Sequence, residues 1–533
     1  MIQSEYDYII VGGGTAGGVL AARLSEDAAT RVLVLEAGAD ERNLMMRVPA
    51  GMVGLYQSGQ YHWDYQAEPE VHAAGQVLPY KLGKVLGGSS AINALVWVRG
   101  APQVYDGWAS VGCEGWAYRD VEPLFRRIER FSEADDPHMG QSGPIAIKRG
   151  DANTSPLNRA FLEAAAQAGY PGNDNYNGPE QEGACLLHRN TDRGERSDVY
   201  REYLRPVMRR SNLTIRCNAS VERVLLESDR VTGVEFRDTD GLHAVYAAAE
   251  VILCAGSIAT PQLLMLSGIG PADRLGEHAI EVKHDLTGVG RNLHTHPTIR
   301  ISYACPGGLS LLNWTRPPRK WLAGLDWLMR RQGRAATNHL DVGIFARTRD
   351  DLEYPDAEFT FSPLILAQDY GNSSVDGFDV YMELIGVKSR GWLGLRSANP
   401  ADPPRFRFNF LKDRRDLEAF RRGVAMLREL VAQKAFDGLR GEELSPGVNV
   451  DTEKLLDDWI RRTASVSHHL AGSCRMGSAK DPLAVVDPQL RVRGLQGLRI
   501  ADNSIMPFVS NGNTHAPAIM IGEKAADLIR ETG

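Results

Sequence analysis

Three glycines and one carboxylate near the N-terminus have the types and spacing to hold a phosphate-linked dinucleotide. The apolar run Tyr6–Val11 leads into Gly12-Gly13-Gly14-Thr15-Ala16-Gly17, then an Ala/Leu-rich helical stretch, then Arg31–Leu35 ending in Glu36. Gly12 allows the tight turn, Gly14 lets a pyrophosphate approach the backbone, and Gly17 lets helix and strand pack closely. The helix N-terminus offers free N–H groups and the positive end of a dipole to phosphate. Glu36, at the tip of the second strand, can accept a hydrogen bond from a ribose 2′-OH. The same charge repels a 2′-phosphate and so disfavours NADP. FAD and NAD both remain open on these residues.

The elements around this turn set the architecture. Short strands are expected at Leu213–Ile215, Val221–Leu225, Val231–Val234 and Glu250–Leu253, a small β-layer returning to the nucleotide sheet. Helices are expected over Pro156–Ala168, Asp416–Gln433 and Thr514–Arg530, and residues 41–82 read as loop carrying Tyr56, Tyr61, Trp63 and Tyr65. Residues 300–460 bring Pro/Arg-rich loops and the strand Phe378–Ile385, the mark of a separate substrate-covering lobe. The chain has 533 residues, enough for two large lobes, and a net charge of −7 that leaves no basic footprint for nucleic acid. Six scattered cysteines without a CxxC pair argue for free thiols in a reducing compartment, not a disulfide frame or zinc site. No apolar run is long enough to span a bilayer and the first strand leaves no room for a signal peptide, so a cytoplasmic protein is expected.

Farther along, Gly83-Lys84, Leu86-Gly87-Gly88-Ser89-Ser90, Ile92-Asn93, Trp97, Gly100 and Asp106 follow one another in order. A second group is Gly256-Ser257, Thr260-Pro261, Leu263-Leu264 and Ser267–Gly270. Two more are Gly288–Leu293 and Gly472-Ser473-Cys474-Arg475-Met476-Gly477, the last followed by Gly497–Asp502. In these stretches the chain resembles the glucose–methanol–choline (GMC) family of flavin oxidoreductases over nearly its whole length. The resemblance implies an α/β fold, α+β overall: a Rossmann-type FAD-binding domain (1–155, 205–300 and 463–533) and a substrate-binding domain on an antiparallel sheet (156–204 and 301–462). It implies FAD as cofactor. Glu36 and Ala37 would hold the adenosine ribose, and Val221 would meet the adenine through its backbone. Val85 and the run Asn93-Ala94-Leu95-Val96 would lie along the flavin, with Asp502 near the pyrophosphate and ribityl chain; Trp63, Ala501 and Thr514 are further expected cofactor contacts. Some relatives tether FAD through a histidine at the position of Ile92. An aliphatic side chain cannot form that bond, so non-covalent FAD is expected.

Alcohol oxidation needs the hydroxyl proton removed while hydride leaves carbon for flavin N5, and near neutral pH histidine is the natural base. Of thirteen histidines, the resemblance selects His469, with Asn513 as its non-titrating partner. A terminal helix starting near Thr514 would point its positive end at the flavin N1–C2 edge, where negative charge develops. The chain departs from the family pattern at Leu470, His468, His515 and Thr295; His468 and His515 add imidazoles beside the site that could bind a polar substrate or tune His469. His294-Thr295-His296 has metal-like spacing, but with no third ligand in sight it reads as two loop histidines. Glu383 and Glu358 are acids suited to a cationic substrate, without a placement. Segment 314–332, with Trp314, Trp321 and Trp327, reads first as an active-site lid and second as a peripheral contact with the inner membrane. The expected activity is FAD-dependent oxidation of a small to medium primary alcohol or polyol to the aldehyde, with transfer of electrons to a quinone or other carrier. The alternatives are an oxidase using O₂ and a non-redox hydroxynitrile lyase on the same fold.

Overall fold

The computed structural model describes residues 5–40, 43–133, 136–366 and 374–532. Its first sheet is built on apolar strands buried on both faces. Val32–Leu35 and Ile9–Val11 are almost wholly buried, as a parallel sheet covered on both sides demands. The order is Leu213–Arg216, Val32–Leu35, Glu5–Val11, Gly241–Leu253, Arg230–Asp238 and Ser220–Glu227, with Leu498–Ile500 added beside Gly241–Leu253. The first three pair in parallel with their neighbours. The long strand begins at Gly241, not Glu250, and its two halves differ. Residues 241–246 pair antiparallel with Arg230–Asp238, and residues 251–253 pair in parallel with Leu498–Ile500. The small β-layer therefore does return to the nucleotide sheet.

A second sheet is antiparallel throughout, in the order Glu443–Ser445, Pro297–Ala304, Gly377–Leu384, Ala357–Ser362, Val342–Ala346 and Gly183–Leu186, with Ser465–Val466 on Pro297–Ala304. The boundary expected at 300/301 falls inside one of its strands. Period-two alternation gives it two unlike faces. Ile299, Ile301, Phe359, Phe361, Val380 and Met382 are buried in the core, on the side of the amphipathic helices Pro156–Gln167 and Arg414–Val431. The intervening residues Thr298, Arg300, Thr360, Ser362, Tyr381 and Glu383 line a cavity shared with the first sheet.

The segment 41–82, read as loop, contains the helix Met52–Ser58 and the hairpin His62–Gln66/Pro79–Gly83; residues 41 and 42 lie outside the described residues. These elements are too short to show a period in the sequence. The terminal helix spans His515–Thr532 and packs on Thr15–Leu24. Gly522 makes the approach close: a Cβ there would sit 2.9 Å from Ala16 O. The fully buried Glu523 locks the pair, accepting from Arg23 Nε and from Tyr203 Oη at 2.7 Å, with Arg127 at 2.9 Å.

Candidate active site

A cavity of about 1120 Å³ is lined from both sheets, more than a drug-sized ligand alone needs. Two glycine turns form its floor. Gly12 has φ +101°, and a Cβ there would lie 2.6 Å from Cys254 O; one at Gly17 would lie 2.0 Å from Gly12 O. A Cβ at Gly88 would collide with Gly14 Cα at 2.7 Å, so the turns at 12–17 and 87–90 touch. A Cβ at Gly14 would meet only Gly88 Cα, at 3.9 Å. Gly14 therefore leaves a cradle open to the cavity at the N-terminus of the helix Thr15–Leu24, where a pyrophosphate fits.

Glu36 organises that turn from behind. Its carboxylate accepts from Gly13 N at 2.8 Å and from Gly38 N at 2.7 Å. Burial pushes its carboxyl up to about 7, against the opposing pull of the two N–H groups. Two of its lone pairs are thus used by its own chain, leaving others for a ribose hydroxyl. Asp502 behaves similarly: it accepts from Gly256 N, Thr260 Oγ1 and Ser504 N at 2.9, 2.7 and 2.8 Å. It joins the two glycine signatures across the helix N-terminus at Gly256 and, besides its expected place at the cofactor, has this structural role.

The structure brings Gly14, Thr15, Ala16, Trp63, Asn93, Ala94, Leu95, Val96, Asp502 and Thr514 to the cavity wall, together with His468, His469, Asn513 and His515. Gly12, Gly17, Glu36, Ala37, Val85, Val221 and Ala501 are not on that wall. Val85 and Ala501 are fully buried, Ala37 and Val221 half-buried. Ile92, the position some relatives use for a tether, is also buried.

His469 is held on every side. Its backbone N–H donates to Thr295 Oγ1 at 3.1 Å, so Thr295 fixes the chain at His469. Its Nε2 lies 3.1 Å from Asn513 Nδ2 and its Nδ1 lies 3.1 Å from His296 Nδ1 and 3.3 Å from Glu383 Oε2. An amide N–H₂ can only donate, so Nε2 is the acceptor and the ring proton sits on Nδ1, facing the carboxylate and His296. This is the tautomer a base needs: a lone pair toward the cavity and a negative group behind the proton.

The neighbouring imidazoles differ. Burial, helped by His469, Lys81 and His62, drives His468 down to about 3. Its ring packs 4.9 Å from Tyr80 and 5.7 Å from Tyr56, centre to centre. Burial, then Arg196, drives His515 down to about 3, and burial holds His296 well below the usual range. These three stay neutral at physiological pH. His515 Nε2 and Asn513 Oδ1 are buried without a hydrogen-bond partner, both beside the N-terminus of the terminal helix. Such polar atoms at the cavity wall fit a polar cofactor edge.

The reading of 294–296 as two loop histidines holds for His294, which accepts from Val509 N at 2.8 Å and positions that loop. It fails for His296. The third group missing from the sequence pattern is supplied from far away: His296, Glu383 and His469 each place a ligand atom within 4.8 Å of the others. Two imidazole nitrogens and a carboxylate can share a proton, which is their use beside a base. Glu358 sits opposite Glu383 on the adjacent strand. Burial, then the charge of Glu383, holds the Glu358 carboxyl well above the usual range.

Two residues escaped the sequence reading. Arg196, buried, donates to Asn93 Oδ1 at 2.6 Å, Asn93 O at 2.8 Å and Met46 O at 3.1 Å, and fixes the turn that carries Asn93–Val96. Asn338 donates to Ala94 O at 2.8 Å. Neither lies in a motif; both act mainly on backbone carbonyls, which leave no trace in residue pattern. Segment 314–332 does cover the cavity through Trp314, Lys320, Ala323, Gly324, Trp327 and Leu328, as a lid would. Trp321 is not among these residues and is 69% exposed.

Residues 6–298 and 387–522 match the N- and C-terminal models described as GMC oxidoreductase. The chain is 40% identical over 531 residues to an oxygen-dependent choline dehydrogenase of Photobacterium profundum, covering 99% of this chain and 93% of that one. It is 42% identical over 537 residues to the human mitochondrial choline dehydrogenase, covering 99% and 90%. Among solved structures, pyridoxine 4-oxidase from Mesorbium loti aligns with TM-score 0.90 at 31% identity, covering 99% of both chains. A formate oxidase aligns with TM-score 0.94 at 26% identity, covering 100% of this chain and 99% of that one.

Proposed function

The chain belongs to the GMC oxidoreductase family, and from that premise we propose that it oxidises a primary alcohol to the aldehyde, with His469 as base and a quinone or other carrier as electron acceptor. The observation that carries this reading is His469 itself, with Nε2 beside Asn513 on the cavity wall and Nδ1 against Glu383. Bound non-covalently, FAD supplies the hydride acceptor. On the cavity wall, Gly14, Thr15 and Ala16 would hold its pyrophosphate, Asp502 would lie on its ribityl side, and Trp63, Asn93–Val96 and Thr514 would line the flavin; Glu36, Ala37, Val85, Val221 and Ala501 would act from behind that wall. Segments 1–155, 205–300 and 463–533 form the cofactor domain, with 156–204 and 301–462 over the substrate.

The alcohol hydroxyl takes a place between Asn513 Nδ2 and His469 Nε2. Asn513 donates to the oxygen and orients it; His469 takes the proton at Nε2. The imidazolium so formed keeps its Nδ1 proton against Glu383, whose charge offsets the one just created. His468 and His515, neutral, shape the wall.

A negative group on the cavity wall also favours a cationic alcohol, and the relatives named choline dehydrogenases support testing choline first. The test is anaerobic bleaching of the flavin by a panel of alcohols that includes choline. An absence of bleaching by every alcohol, with FAD bound, refutes alcohol oxidation. O₂ as acceptor is the second reading, favoured by relatives titled oxidases or oxygen-dependent. Reoxidation in air as fast as steady-state turnover selects it over the quinone.

A further inference from the structure

The helix Arg319–Arg330 buries only Trp327, whose indole N–H donates to Gly194 O at 2.6 Å. Five large apolar side chains on it stand in solvent: Trp321 69%, Leu322 58%, Leu325 52%, Leu328 54% and Met329 72% exposed. At about 100° per residue they occupy roughly 120° of the helix, centred about 160° from Trp327. The apolar stripe therefore faces directly away from the protein, where an ordinary surface helix is polar. Such a contiguous exposed patch marks an interaction surface.

Its surroundings say which kind. Residues 314–334 hold six basic side chains (Arg316, Arg319, Lys320, Arg330, Arg331 and Arg334) against one acid, Asp326, in a chain of net charge −7. Arg319 and Arg330 are exposed and border one edge of the stripe, while Lys320 lies on the cavity side of the helix. The patch also adjoins the cavity: Leu328, Ala323 and Gly324 line it, as do Leu44 and Met45, which are themselves 48% and 38% exposed. No helix among the described residues is long and apolar enough to cross a membrane.

The geometry points to an interfacial helix: this face docks on an anionic lipid bilayer, with Trp321, Leu322, Leu325, Leu328 and Met329 inserted between headgroups and the flanking Arg319 and Arg330 on lipid phosphates. Docking turns the rim of the cavity toward the bilayer, so an apolar acceptor or alcohol dissolved in lipid reaches the site without crossing water. The surface stands independently of the reaction assigned above.

The test is co-sedimentation of the FAD-loaded protein with vesicles. Phosphatidylcholine alone is compared with equal parts phosphatidylcholine and phosphatidylglycerol, at low and high salt. Binding at least tenfold stronger to the anionic vesicles, and weakened by salt, is expected. The triple variant Trp321→Ser/Leu325→Ser/Met329→Ser should lose that binding tenfold or more. None of the three lines the cavity, so it should keep its FAD and its turnover of a soluble alcohol with a soluble acceptor. Arg319→Gln/Arg330→Gln should weaken anionic binding while leaving weak binding to neutral vesicles as it was. Equal sedimentation with neutral and anionic vesicles overturns the proposal, as does a folded triple variant that binds like wild type. A dimer in light scattering that the triple variant dissociates, without vesicle binding by wild type, overturns it in favour of a second copy of the chain.

Discussion

Replacing Glu383 with glutamine keeps the side chain's size and removes the charge behind His469. The carboxylate oxygen lies 3.3 Å from Nδ1, with side-chain exposures of 14% for Glu383 and 11% for His469. At an effective dielectric of about 20, two unit charges at that distance attract by about 5 kcal/mol, and residual solvent screening reduces this to roughly 2–3 kcal/mol. About half of that is realised if the proton is half transferred in the transition state, or ~1–1.5 kcal/mol. Flavin reduction by the alcohol in Glu383→Gln should therefore be about tenfold slower. Anaerobic stopped-flow bleaching of the flavin measures the rate directly. Glu383 and His469 act as one unit, so Glu383→Gln/His469→Ala should be no slower than His469→Ala alone. Wild-type rates in Glu383→Gln refute the electrostatic support. Fully additive losses in the double variant also refute it, and place Glu383 on the substrate instead.

His469→Ala should reduce flavin ~10²–10⁴-fold more slowly with FAD still bound, and Asn513→Ala should lose less, because no proton acceptor is removed. The wild-type rate should rise with pH through one ionisation that His469→Ala abolishes, since His468 and His515 stay neutral down to about 3; a slower rate in His468→Ala or His515→Ala than in His469→Ala moves the base elsewhere. Glu36→Ala should weaken FAD binding by ~1.5–3 kcal/mol in fluorescence titration, the worth of a hydrogen bond to a charged group. The folded value of Glu36, about 7, lies above its ordinary 4.5, so the stability it contributes is full below pH 4.5 and lost as pH rises through 7; in denaturant titrations Glu36→Gln apoprotein should lose less stability than wild type across that window. Acid or heat precipitation should leave FAD in the supernatant, since Ile92 cannot tether it, and yellow precipitate contradicts this.

The legible parts of the fold were those fixed locally. Tyr6–Val11, the glycine turn and Glu36 were readable because strand period, turn chemistry and a terminal acid coincide within one short segment. Helices such as Arg414–Val431 were legible from their apolar period. His469 and Asn513 came through resemblance and not through pattern, and the structure sets them 3.1 Å apart. Hidden was whatever depends on strands meeting across the chain. Glu383 reaches His469 only because its strand pairs with Pro297–Ala304, and no local signal announces that. Arg196 was hidden because its partners are mostly backbone carbonyls about a hundred residues or more away in sequence. The polar face of the second sheet was written in the alternation of 298/300, 360/362 and 381/383, but its orientation toward the cavity is a tertiary fact.

The lock around Glu523 has a consequence in time. Arg23 and Glu523 are 500 residues apart, and at ~5–20 residues per second a ribosome takes about 25–100 s to travel between them. For that whole interval the helix behind the first glycine turn lacks its partner, and Asn513 and His515 have not been made. The stretch of cavity wall that Asn513 and His515 form is thus the last to be made. A chain cut short by its last twenty or so residues is born without either the clamp on its first helix or the amide that sits beside His469.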